Sequence, residues 1–160
     1  MHLLAFGTLC PKASKCIYPD PCGIKNTNLD INIQNNYGFT GFHLACQYNK
    51  LAIIEFFTDP CGIKNTNLNL NIQNNYGETG FHLACLYGHL ALVELCIKNT
   101  FLDINIQNKH GYTGFHYACQ YDRLAIVKNL IKNTNLDINI QNNYGETGFH
   151  LAFKVYAFGC

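Results

Sequence analysis

Three pairs of side chains in this sequence have the types and spacing of metal chemistry. His43 and Cys46, His82 and Cys85, and His116 and Cys119 each stand three residues apart. On a helix the two members of such a pair share one face, and each pair could give a zinc ion two ligands. Cys10, Cys16 and Cys22 are also evenly spaced, with five residues between neighbours, yet no His or fourth Cys stands nearby at zinc spacing. The nine cysteines are an odd number. They read as free thiols in a reducing compartment, hence a cytoplasmic protein, with a disulfide in a secreted product as the rival reading. Catalytic patterns are missing: there is no glycine-rich phosphate loop, no Gly-x-Ser-x-Gly and no pair of carboxylates placed for acid–base work. The single serine, Ser14, falls in a stretch that reads as coil. The expectation is a protein without catalysis, cofactor, metal or small-molecule substrate.

Whatever these residues do, the rest of the chain must position them. Its 160 residues suffice for one compact domain or a short array of smaller units. Hydrophobic residues make up 48%, ordinary for a globular protein, whereas charged residues are only 13%, about half the usual share. The surface must therefore be built from uncharged polar groups, and 21 asparagines fill that role. Eleven basic and ten acidic residues leave a net charge of +1 with no basic stripe, so no nucleic-acid partner is expected. No apolar run approaches the ~18 residues of a membrane span. Leu3 to Cys10 is apolar but short and has no Lys or Arg before it, a poor signal peptide.

Internal repetition organises the chain. Tyr-Gly-x-Thr-Gly-Phe-His occurs as Tyr37–His43, Tyr76–His82 and Tyr144–His150, and again as His110–His116 with His in place of Tyr. The final histidines are spaced by 39, 34 and 34 residues. Leu-Asp-Ile-Asn-Ile-Gln appears at Leu29–Gln34, Leu102–Gln107 and Leu136–Gln141, with a variant at Leu68–Gln73. The extra five residues of the first interval are Thr58–Gly62, and Asp59–Leu68 matches Asp20–Leu29 letter for letter, which points to duplication within the chain.

One unit can be read from its residues. Thr79 stands where an N-cap belongs, Phe81, Ala84 and Cys85 recur at helical spacing, and Gly88 is a stop. Leu90 to Ile97 makes a second short helix ending near Lys98-Asn99, and Leu102–Ile106 alternates apolar and polar as an extended arm would. Helices of two or three turns are unstable alone in water, because nucleation is unfavourable and few bonds repay it. Such units must stack on one another, which makes a solenoid.

These residues resemble the ankyrin repeat. Gly77-Glu78-Thr79-Gly80-Phe81-His82-Leu83-Ala84-Cys85-Leu86-Tyr87-Gly88-His89 follows the family pattern, and Leu102-Asp103-Ile104-Asn105 stands in for its end. The resemblance implies an all-α solenoid of stacked helix-turn-helix units with projecting β-hairpin fingers. It covers an array over 29–152, with units at about 35–73, 74–107 and 108–141 and a partial unit at 142–152. Residues 1–28 then form a degenerate or disordered N-terminal segment and 153–160 a divergent tail. The apolar tail lacks the polar outer face of a terminal repeat, so the chain is expected to be a piece of a longer array, or its last unit to pack on something else.

The family's histidine bonds the Thr cap and links neighbouring hairpins, and its position for these cysteines holds a small buried Ala, so both residue types are expected in structural roles. Stacked units would also hold successive His/Cys pairs ~10 Å apart, too far for one tetrahedral ion. Two departures are expected to weaken the array. Gly41, Gly80, Gly114 and Gly148 replace the family's Pro at the first helical position, at ~0.5–1 kcal/mol per unit. Asn129 replaces a Leu of the second helix and needs partners for its amide.

What remains for function is surface. The resemblance implies partner contacts on the finger tips and the exposed edge of the first helix: Asn36, Tyr37, Phe39, Gln47 and Tyr48; Asn75, Tyr76, Glu78, Leu86 and Tyr87; Lys109, His110, Tyr112, Gln120 and Tyr121; and Asn143, Tyr144 and Glu146. The expected function is a protein–protein interaction module presenting a concave Tyr/Asn-rich surface to another protein. Its alternative is an arm of a larger multidomain protein, used for targeting or as a substrate adaptor. Tyrosine buries area at low entropy cost and is favoured at hot spots, although Tyr37, Tyr76 and Tyr144 are also copies of one duplicated residue.

Overall fold

The structure is a computed structural model that describes residues 30–58, 67–99, 101–132 and 135–154. The degenerate first segment and all but the start of the divergent tail lie outside the described residues. Among the described residues there are seven helices: α1 (Gly41–Gln47), α2 (Leu51–Thr58), α3 (Gly80–Tyr87), α4 (Leu90–Ile97), α5 (Gly114–Gln120), α6 (Leu124–Ile131) and α7 (Gly148–Phe153). Each odd-numbered helix follows a threonine in extended backbone: Thr40, Thr79, Thr113 and Thr147. The hydroxyls of the first three accept from an early helix N–H, which satisfies one of the orphan donors of a helix start. Left-handed residues stop these helices. Gly88 closes α3 at φ +80°, while Asn49 (φ 54°) and Asp122 (φ 52°) do the same work after α1 and α5, where a short polar side chain tolerates that conformation.

Helices of six to eight residues cannot stand alone, and their packing shows what holds them. Helices α1, α3, α5 and α7 form one layer, each lying against the next, and α2, α4 and α6 form a second layer packed on the first helix of their own units. Phe42, Phe81, Phe115, Leu92, Val93, Ile126 and Leu130 fill the space between. Each fully buried side chain of this size contributes about 1.5–3 kcal/mol through removal from water.

The glycines at the first helical position do more than the sequence suggests. A Cβ built on Gly80 would lie 2.4 Å from the Phe42 ring, one on Gly114 2.7 Å from Phe81, and one on Gly148 2.6 Å from Phe115. Each Phe ring of one unit is thus seated on the bare backbone of the next. The expected loss from replacing Pro is offset at these three positions by the packing of a buried ring. Of the four first-position glycines, Gly41 alone has open space beside it.

The fingers expected as β-hairpins are tight turns, and among the described residues no strand forms. The asparagine that opens each turn fastens it. Asn74 Oδ1 accepts from the N–H groups of Tyr76 and Glu78, both at 2.9 Å, and Asn35, Asn108 and Asn142 repeat the arrangement. Side-chain amides also take over the links between units. Gln73 Nε2 donates to Gly77 O and to Gln107 O of the following unit, and Asn71 bonds Phe101 O and Asp103 N–H across the same step. The asparagine content therefore has a structural use, as a polar ladder running the length of the stack. Asn129 also finds a partner, donating to Glu94 Oε1 at 3.2 Å in the preceding unit.

Candidate interaction surface

The histidines of the metal-like pairs have both ring nitrogens committed. In the second unit Thr79 N–H donates to His82 Nδ1 at 3.1 Å, and the Thr79 hydroxyl lies 2.8 Å from the same nitrogen. His82 Nε2 is 3.0 Å from Tyr112 O. A carbonyl only accepts, so Nε2 carries the proton and Nδ1 is the acceptor; the tautomer follows from the partners. His43 and His116 repeat this geometry, reaching Glu78 O and Glu146 O. The ring thus takes the place of the Glu in a capping box and ties one unit to the next. Burial disfavours the imidazolium: it lowers His82 to about 4, against the raising effect of the Tyr112 carbonyl, and lowers His43 and His116 as well.

The cysteines follow the same logic. Cys46, Cys85 and Cys119 are buried at the contacts between units, and desolvation raises all three thiols, Cys119 to about 11. A protonated, enclosed thiol is a small hydrophobe rather than a nucleophile. Among the described residues no group of three or more His, Cys, Asp or Glu is placed to hold a metal ion. Cys10, Cys16 and Cys22 lie outside the described residues.

The residues expected to contact a partner divide into two sets. Asn36, Tyr37, Tyr48, Asn75, Tyr76, Tyr87, Lys109, His110, Tyr121, Asn143 and Tyr144 are exposed. The others are half-buried, and several are engaged within the stack. Phe39 packs edge-on against His43, and Tyr112 lies against both His116 and Tyr117. The Glu78 carboxylate accepts from Tyr117 Oη at 2.8 Å and from Asn74 Nδ2, and Glu146 pairs with Lys154 Nζ at 2.7 Å. Gln47 and Leu86 sit at the ends of their helices, where their carbonyls accept from His89 Nε2 and from the Arg123 guanidinium. Gln120 is half-buried at the same position in the third unit. Sequence reasoning missed Arg123 and Tyr117 as links between units. For Tyr117 the signal was available, since it stands where Leu44, Leu83 and Leu151 recur; the position of Arg123 differs in every unit, with Lys50 and His89 as its counterparts.

The exposed tyrosines form two sets of equivalent positions: Tyr37, Tyr76 and Tyr144 at the turns, and Tyr48, Tyr87 and Tyr121 at the ends of α1, α3 and α5. Among the described residues no helix is long and apolar enough to cross a membrane. A family model described as ankyrin repeats (3 copies) matches the chain over residues 21–108 and 42–142. No curated protein matches it.

Proposed function

The chain belongs to the ankyrin-repeat family, and from that premise we propose that its two rows of tyrosines, with the asparagines between them, are the surface that engages another protein. Ankyrin repeats are generally protein–protein interaction modules and typically act without catalysis. The finer reading rests on one observation: tyrosine stays exposed at equivalent positions of successive units, although nearly half the residues are apolar and free to be buried. Units fixed by His-to-carbonyl bonds and ring-on-glycine packing hold these side chains in register before any partner arrives. A preformed surface loses little ordering entropy on binding. The module has no catalysis of its own and works in the cytoplasm, in keeping with buried, protonated thiols.

The experiment is quantitative capture of partners by the intact chain and by a Tyr76→Ser/Tyr87→Ser/Tyr121→Ser variant, with Lys132→Ala as a control outside both rows. These tyrosines are exposed, so the variant is expected to fold, and recovery of partners is expected to fall at least tenfold. Equal recovery by the variant removes the tyrosine rows as the contact surface.

A further inference from the structure

The two ends of the described stack are complementary to each other. Inside the stack a Phe ring always covers the next unit's glycine: Phe42 on Gly80, Phe81 on Gly114 and Phe115 on Gly148. At one end Gly41 has nothing within 4 Å of its Cβ position. It borders an apolar pocket of about 210 Å³ lined by Ala45, Ile53 and Phe57. At the other end Phe149 is 40% exposed, whereas Phe42, Phe81 and Phe115 are 5% exposed or less. Phe153, in place of the small Cys46, Cys85 and Cys119 of the other units, is 82% exposed. One end carries the socket and the other the plug.

The polar groups follow the same polarity. Gln34, Gln73 and Gln107 each donate to the glutamine carbonyl of the next unit at 2.9–3.0 Å. His43, His82 and His116 each reach a carbonyl of the next finger. The carbonyls of Tyr37, Tyr76 and His110 each accept from a backbone N–H of the next finger, at 3.0–3.1 Å. Gln141, His150 Nε2 and the Tyr144 carbonyl occupy these positions in the last unit, with no such neighbour among the described residues. The Gln34 carbonyl, the Phe39 carbonyl and the Asn36 N–H are their counterparts on the first unit.

We infer that a second copy of this chain stacks head to tail, its Phe149 and Phe153 entering the pocket beside Gly41. Residues 1–29 suit this face less well: they contain no Gln and no Thr-Gly-Phe-His string, whereas residues 141–153 carry every group the face needs. The larger Phe153 has the end pocket of about 210 Å³ to fill. The contact joins two different patches, so it does not close on itself and each added copy offers a fresh end.

The test uses the full chain in two variants that each block one end. Gly41→Glu fills open space and places an acidic residue in the first turn of α1, where the helix dipole favours it, so folding is unharmed. Phe149→Ala/Phe153→Asp removes the plug at residues that are 40% and 82% exposed. By sedimentation velocity, the wild type is expected to grow in average mass with concentration, past that of two chains. Each variant alone is expected to stay monomeric. Their equimolar mixture is expected to form a dimer and stop there, because one variant keeps a working plug and the other a working socket. A variant that still associates alone, or a mixture that does not, overturns the proposal. So does a monomeric wild type: if Gly41→Glu then lowers its melting temperature, residues 1–29 cover the face, and if not, the face is bare.

Discussion

Gly41 and Gly80 occupy the same place in the same string, Thr-Gly-Phe-His, yet their surroundings are opposite. The Phe42 ring lies 2.4 Å from where a Cβ of Gly80 would be, and nothing lies near Gly41. Phe81 and Phe149 show the same contrast, one 1% exposed beneath the next unit and the other 40% exposed at the end of the stack. Local sequence builds the helices; the neighbouring unit decides whether a given residue carries energy. In a solenoid the stability resides largely in the interfaces between units, so identical substitutions in the interior and at the ends measure how much.

The largest contrast is between the rings. Phe81→Ala leaves a cavity against Gly114 and is expected to cost about 3–5 kcal/mol in urea unfolding. Phe149→Ala, with much of its ring already in water, is expected to cost less than about half as much. Equal costs would mean that the end of the stack is covered as well as the interior.

Acid comes next. His82 is held at about 4 in the folded chain against 6.5 in the unfolded one. The unfolded state therefore takes up the proton first as pH falls. The stabilisation is complete above about pH 6.5 and is lost between there and about pH 4, a matter of about 3 kcal/mol at His82, to which His43 and His116 add in the same direction. Urea midpoints measured down that range are expected to fall steeply. His82→Asn is expected to be weaker at neutral pH but to lose less on acidification.

The glycines give a smaller effect that changes sign between the two regions. Gly80→Ala forces the Phe42 ring aside and is expected to destabilise by about 1–3 kcal/mol. In the monomer Gly41→Ala meets nothing and is expected to stabilise by about 0.5–1 kcal/mol, through the lower backbone entropy of the unfolded chain. Melting curves of the two variants check both signs.

The repeat, the helix starts at threonine and the need to stack were all legible in the sequence, because they depend on residues close together in the chain. Contacts between units were less so. Gly80 read as a weakened proline position, since its compensation comes from Phe42, 38 residues earlier. The asparagines read as a surface filler, and only the structure shows Asn74 stapling its own turn and Asn71 bridging to the next unit. Among the expected contact residues, exposure separated Tyr76 and Tyr121 from Glu78 and Tyr112, whose groups are already engaged within the stack.

The smallest expected effect tests a break in the repetition. Tyr117 replaces a leucine, and its hydroxyl donates to Glu78 Oε1 at 2.8 Å while accepting from Asn108 Nδ2 at 2.9 Å. Burial, reinforced by the Glu78 carboxylate, raises this phenol far above its ordinary value, so it stays protonated and donating. Tyr117→Leu restores the residue that the other three units carry, and the packing is known to accept it. What is lost is the charge-assisted hydrogen bond to Glu78, between the second and third units, together with the bond from Asn108 Nδ2, and water can reach half-buried Glu78 in its place. The net cost is expected to be about 0.5–1.5 kcal/mol, with Tyr117→Phe costing a similar amount. If Tyr117→Leu unfolds the chain instead, this junction depends on the tyrosine ring against Tyr112 rather than on its hydroxyl, and Tyr117→Phe will be the variant that survives.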